Sequence, residues 1–259
     1  MQNDSPIGFF DSGIGGVTIW KAVHKLLPFE NSIYLADSIN APYGQKTKQQ
    51  IIDLCFKNVE FLLKLNAKII VVACNTATTN AVNEMRAYFD IPVIGIEPAI
   101  KPAATQSKTH KIGILATKGT LNSELFSKSV ALYKDVQIIE QIGHGLVELI
   151  EAGKANSTEM SSLLQSYLQP MLEQNIDFLV LGCSHYPFLI SQIQKILPAH
   201  VAIIDSGEAV AKQTFQVLKN QKILSASKIL GQHTFYTNTN PEVLKSVLEH
   251  KYLVIKEDF

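Results

Sequence analysis

Three cysteines are all that 259 residues carry: Cys55, Cys74 and Cys183. A sparse, odd count argues against a disulfide framework and leaves free thiols for chemistry. Excess charge of either sign is also missing, since 23 Lys plus Arg balance 23 Asp plus Glu. No whole-chain field therefore draws the protein to nucleic acid or to an anionic membrane. The apolar runs, such as Ile69 to Cys74 and Phe178 to Leu181, fall far short of the roughly 18 residues of a membrane span. Met1 to Phe10 lacks a basic segment followed by a continuous apolar stretch, so the start does not read as a secretory leader and the expected location is the cytoplasm. No linker rich in Pro, Ser and Gly, no low-complexity tract and no short tandem repeat is visible.

What the chain does have is an apolar fraction of 46%, enough for ordinary cores, and a length that, divided by about 150 residues per domain, fits either one long domain or two short ones. Short β-branched runs alternate with stretches of helical period, the signature of βα units around a mainly parallel sheet. The expected strands are Ile7 to Phe10, Ser32 to Ala36, Lys68 to Ala73, Val93 to Gly95, Lys111 to Leu115, Val136 to Glu140, Phe178 to Leu181, Ala202 to Ile204 and Thr234 to Tyr236. Between them, Ile51, Cys55, Val59, Leu62 and Leu63 share one helix face, which makes Cys55 a core residue. The alternation breaks from Glu97 to Lys111, around Pro98 and Pro102. An internal echo accompanies that break. Cys74 and Cys183 each stand one residue beyond an aliphatic run, and Asp11-Ser12-Gly13 returns as Asp205-Ser206-Gly207. Two related halves follow.

In parallel sheets, ligands bind outside the carboxyl ends of the strands, near the N-termini of the helices that follow. Cys74 and Cys183 both fall there, and a helix N-terminus favours the thiolate, giving a base or nucleophile. His185 could stabilise that thiolate or pass protons. The glycines of Asp11-Ser12-Gly13-Ile14-Gly15-Gly16 let backbone amides approach an anionic group, or simply make a turn. The spacing of Gly13 and Gly15, with Asp37 ending the second strand, also keeps a nicotinamide oxidoreductase open, although Thr18 replaces the third glycine. Pro42-Tyr43-Gly44 and Thr117-Lys118-Gly119-Thr120 add neutral donors at two more strand ends, suited to a small polar substrate. Lys118 reads as a solvated turn residue rather than a Schiff-base lysine. No spacing of His, Cys, Asp and Glu matches a metal site. A cysteine hydrolase and a non-catalytic binding protein remain as further alternatives.

Taken together, Phe10 to Gly16, Asp37 with Pro42-Tyr43-Gly44, Ala73 to Ala77, Gly95 to Pro98, Ala116 to Thr120 and Gly182 to Pro187 resemble the bacterial glutamate racemases, in order along the chain. The resemblance implies an α/β protein of two similar lobes, each a mainly parallel sheet flanked by helices, with the active site in the cleft between them. The first lobe would span 1–97 plus 207–259 and the second 98–206. It further implies interconversion of L- and D-glutamate without pyridoxal phosphate or any other cofactor or metal. The product D-glutamate would supply peptidoglycan, and the enzyme would be a cytoplasmic homodimer. By the same resemblance, Cys74 and Cys183 are the acid/base pair, assisted by Asp11, His185 and Glu148, with Glu151 close by as a rival to Glu148. Ser12, Pro42, Tyr43, Gly44, Asn75, Thr76, Thr117, Thr120 and Ser184 match positions that hold the substrate. The pairing has a physical logic: inverting one carbon needs one group to remove a proton from one face and another to deliver a proton to the opposite face.

Overall fold

The computed structural model describes residues 4–259, so the first three positions of the expected first lobe, and of the start read as non-secretory, lie outside it. Ten strands are described: β1 Ile7–Asp11, β2 Ser32–Ala36, β3 Ile69–Val72, β4 Val93–Gly95, β5 Lys111–Ala116, β6 Gln137–Ile142, β7 Phe178–Gly182, β8 Ala202–Ile204, β9 His233–Thr237 and β10 Leu253–Lys256. The helices between them are α1 Val17–Leu26, α2 Lys48–Lys64, α3 Asn75–Tyr88, α4 Ile100–Gln106, α5 Lys118–Leu121, α6 Glu124–Val130 and α7 Leu146–Glu151. The remainder are α8 Thr158–Leu172, α9 Ile190–Ile196, α10 Gly207–Asn220 and α11 Glu242–Val247. Nine strands match the sequence expectation to within two residues at each end. β10 was not expected: it is a four-residue edge strand whose first and last side chains are exposed, so it lacks the apolar run that marks a buried strand.

The strands form two wholly parallel sheets, in the orders β10-β9-β2-β1-β3-β4 and β6-β5-β7-β8. Helices cover both faces, which is why β1 and β3 are buried along their whole length. The stripe on α2 packs as its spacing predicts, with Ile51, Cys55, Val59 and Leu62 buried and Leu63 partly so.

The block β2-β1-β3-β4 and the block β6-β5-β7-β8 have the same topology, so the two halves share one connection pattern and β9 with β10 extend the first sheet. In each block the order reverses between the first strand and the third, and a doubly wound sheet opens its ligand crevice at such a reversal. Asp11 ends the first of the two strands flanking the first reversal and Cys74 follows the other; Thr117 and Cys183 follow those flanking the second. The matching topology also corrects the echo of Asp11-Ser12-Gly13 and Asp205-Ser206-Gly207. Asp205 follows β8, the counterpart of β4 rather than β1; it is exposed and its carboxylate accepts from Gly207 N at 2.7 Å, at the entry to α10. Beside it, Ser206 donates to the Glu97 carbonyl, tying together the two segments where the chain passes between the sheets.

Candidate active site

Cys74 is the N-cap of α3, and its sulfur accepts from Ala77 N at 3.4 Å because the first turn of a helix leaves its amides unpaired. The thiol donates to Ser12 Oγ at 3.6 Å and is 4% exposed. Burial, followed by the negative field of Asp11, pushes this thiol well above the ordinary value, while Ala77 N and Ser12 pull the other way. Cys183, 6% exposed at the end of β7, has a different neighbour: His185 Nδ1 at 3.9 Å. The other ring nitrogen of His185 lies 2.6 Å from Glu151 Oε1. Burial opposes charge on this imidazole, but the contacts with Cys183 and Glu151 and the nearby Asp11 outweigh it and hold the pKa well above the ordinary histidine range.

Asp11 links the two corners. Its Oδ2 accepts from Gly13 N at 3.0 Å and its Oδ1 from Ser184 Oγ at 2.9 Å, across the cleft. Full burial is the largest influence on its carboxyl and raises its pKa; His185 acts against that shift. Thr18 donates to the Ser184 carbonyl at 3.1 Å, which gives a purpose to the residue that breaks the dinucleotide pattern. A side chain on Gly13 would collide with the Glu151 carboxylate, and one on Gly15 with the His185 ring. The glycine loop is thus filled by protein groups of the facing lobe where a dinucleotide's pyrophosphate would need room.

Hydroxyls crowd the other wall. Thr76 Oγ1 lies 2.8 Å from Thr117 Oγ1 and 3.2 Å from Thr120 Oγ1, again spanning the cleft. Gly44 abuts the same cluster, since a Cβ there would lie 2.8 Å from Thr117 Cβ. Pro42, Gly44 and Gln45 face Thr117, Gly143 and Glu148 around a small cavity of about 50 Å³. Tyr43 turns away from it: its hydroxyl donates to the buried Asp37, which also accepts from Asn40 at 2.8 Å and Asn238 at 2.6 Å. The Tyr43 side chain thus supports the loop instead of lining the cleft. Asn75 is 2% exposed, and neither atom of its side-chain amide meets a partner among the described residues. A buried unpaired amide costs about 1–3 kcal/mol, so its natural partner is a ligand.

The two candidate glutamates on α7 separate clearly. Glu148 is exposed and accepts from Gln45 Nε2 at 2.7 Å at the cavity mouth. Glu151 reaches inward to His185 and accepts from Ile14 N at 2.7 Å and from Ser38 Oγ at 3.1 Å. The geometry therefore brings Glu151, not Glu148, to the sulfur–imidazole pair. Sequence reading missed Ser38 altogether, and it expected the amides of the Asp11–Gly16 loop to meet an anionic group without pointing to Glu151, because these contacts exist only once the lobes face one another. No cluster of three or more His, Cys, Asp or Glu fit to hold a metal occurs among the described residues.

The Asp/Glu/hydantoin racemase family model matches residues 18–214 of this chain. A curated protein of Herpetosiphon aurantiacus named glutamate racemase is 43% identical over 241 residues, covering 93% of this chain and 95% of its own. Among solved structures, a glutamate racemase isoform of Bacillus anthracis superposes with a TM-score of 0.90 at 31% identity, covering 99% of this chain and 98% of its own. Escherichia coli glutamate racemase, crystallised with L-glutamate and the activator UDP-MurNAc-Ala, does so with a TM-score of 0.86 at 31% identity, covering 97% of each chain.

Proposed function

The chain belongs to the Asp/Glu/hydantoin racemase family, and from that premise we propose that it interconverts L- and D-glutamate with Cys74 and Cys183 as paired proton carriers. It is an isomerase of a family that does not need pyridoxal phosphate. The observation that carries the reading is the arrangement of the thiols: each follows a strand at the order reversal of its own sheet, and Asp11, whose negative field reaches Cys74, is hydrogen-bonded across the cleft to Ser184, the residue after Cys183.

In this scheme one sulfur takes the α-proton from one face while the other delivers a proton to the opposite face, so the substrate need not turn over. Reactant and product differ only at that carbon, and exchanging the protonation states of the two sulfurs runs the reaction in reverse. Ser12, Asn75, Thr76, Thr117, Thr120 and Ser184 supply neutral donors for the carboxylates and acceptors for the ammonium group, with the Pro42–Gly44 loop closing the wall. Donors aimed at the α-carboxylate stabilise the charge that builds there as the proton leaves, in a cleft where little water competes. Glu151 holds the imidazole of His185 against Cys183, and Asp11 with Ser12 borders Cys74. The reading extends to supplying D-glutamate for peptidoglycan, to a cytoplasmic location, to a homodimer, and to lobes divided as 1–97 plus 207–259 and 98–206.

Optical rotation of L-glutamate incubated with the pure protein, without added cofactor, tests this directly. The rotation should decay to zero, and Cys74→Ser and Cys183→Ser should each lower the rate by at least about 1,000-fold while the protein stays folded. Near-normal turnover by either folded variant contradicts the paired-thiol scheme.

A further inference from the structure

Glu151 ends α7 on the second lobe, yet two of its three hydrogen-bond donors belong to the first. Its Oε1 is shared between the Ile14 amide at 2.7 Å and His185 Nε2 at 2.6 Å, and its Oε2 takes the Ser38 hydroxyl at 3.1 Å. The terminal torsion of a glutamate is broad and nearly two-fold, so the carboxylate is not oriented by its own chain. One donor on each oxygen, both from the facing lobe, pins that rotation and keeps a lone pair of Oε1 directed at the imidazole. The side chain is only 15% exposed, which leaves little water to take the place of either donor. The approach is close enough that Gly13 cannot carry a side chain without striking this carboxylate.

We propose that Ser38 is a positioning residue through which the first lobe orients the imidazole–carboxylate pair behind Cys183. With the lobes together, Ser38 and the Ile14 amide orient Glu151, and Glu151 holds His185 in the pose from which it trades protons with Cys183. The inference rests on the assignment of Cys183 and His185 made above. It ties this contact to the reaction on one side of the substrate only, because Cys74 adjoins Ser12 and, among the described residues, has no imidazole beside it.

Kinetics with α-deuterated L- and D-glutamate test it. The equilibrium constant between enantiomers is one, so kcat/KM must fall equally in both directions, and directional information resides in the isotope effects. Ser38→Ala should lower kcat/KM by roughly tenfold, the scale of one hydrogen bond to an ionised group. The isotope effect on kcat/KM should rise for the enantiomer whose proton Cys183 removes, since that transfer becomes slower than the steps around it. For the other enantiomer it should fall, since the slow step is then the delivery from Cys183. Ser38→Thr should restore wild-type behaviour, and Ser38→Ala placed on Glu151→Gln should add no further loss. A folded Ser38→Ala protein whose isotope effects are unchanged, or move alike for both enantiomers, overturns the inference while leaving the racemase intact. A wild-type protein without racemase activity overturns the assignment and the inference with it.

Discussion

The Cys74 corner and the Cys183 corner stand at equivalent places in two sheets of the same topology, just beyond the third strand of each block, yet their chemistry differs. Around Cys74 are a hydroxyl, a backbone amide and a carboxylate that disfavours the thiolate. Beside Cys183 stands a histidine backed by a glutamate that is itself gripped from the facing lobe. A parallel sheet delivers its strand ends to one place whatever the sequence, so the backbone supplies the near-symmetry that a mirror-image substrate pair requires. The side chains then break it. Burial disfavours the thiolate of Cys74, and Cys183 has an imidazole beside it. In any one turnover one sulfur must hold a proton and the other must lack it, and the two exchange these states when the reaction runs in reverse.

The sharpest way to probe the difference is to remove charge from α7 at its two glutamates. Glu151→Gln should lower kcat by about 100-fold, the scale of one acid/base assistance, by weakening the carboxylate that holds His185 charged. Glu148→Gln, on an exposed side chain bonded to Gln45, should stay within about threefold of wild type. Steady-state assays of the two variants side by side check this, and equal losses would erase the distinction between them.

A smaller effect should appear at the carboxylate joining the corners. Burial raises the Asp11 pKa above the ordinary value of 3.8, so the folded state keeps this proton to higher pH than the unfolded chain does. Below both pKa values the group costs nothing. As pH rises from 3.8 through the raised value, stability is lost, and above it the full cost remains. Asp11→Asn should therefore raise the thermal midpoint by about 2–4 °C at pH 7, leave it unchanged at low pH, and slow racemisation. Calorimetry across pH checks the sign, and a lower midpoint at pH 7 would contradict it.

Much of this was legible beforehand because strand ends in parallel sheets are predictable from apolar runs alone. β2, β4 and β8 fall on their expected residues, and the strand ends place Cys74 near Asp11 and Cys183 beside His185. What could not be read depends on how helices dock. Glu148 and Glu151 lie three residues apart on one helix, nearly on the same face, and a few tens of degrees of helix rotation decide which meets His185. Ser38 carried no local signal, since its partner lies 113 positions away. The Asp205 echo misled for a related reason: three matching residues recurred at a strand that is not the topological counterpart of β1.

The two-thiol scheme is tested most directly by where deuterium goes when L-glutamate is converted in deuterated water at low conversion. If the proton leaves to one sulfur and a solvent-derived deuteron arrives from the other, the D-glutamate formed carries deuterium at its α-carbon while the remaining L-glutamate keeps its protium. Protium carried over into D-glutamate, or deuterium entering both enantiomers at the same rate, would point to a single group serving both faces and contradict the scheme.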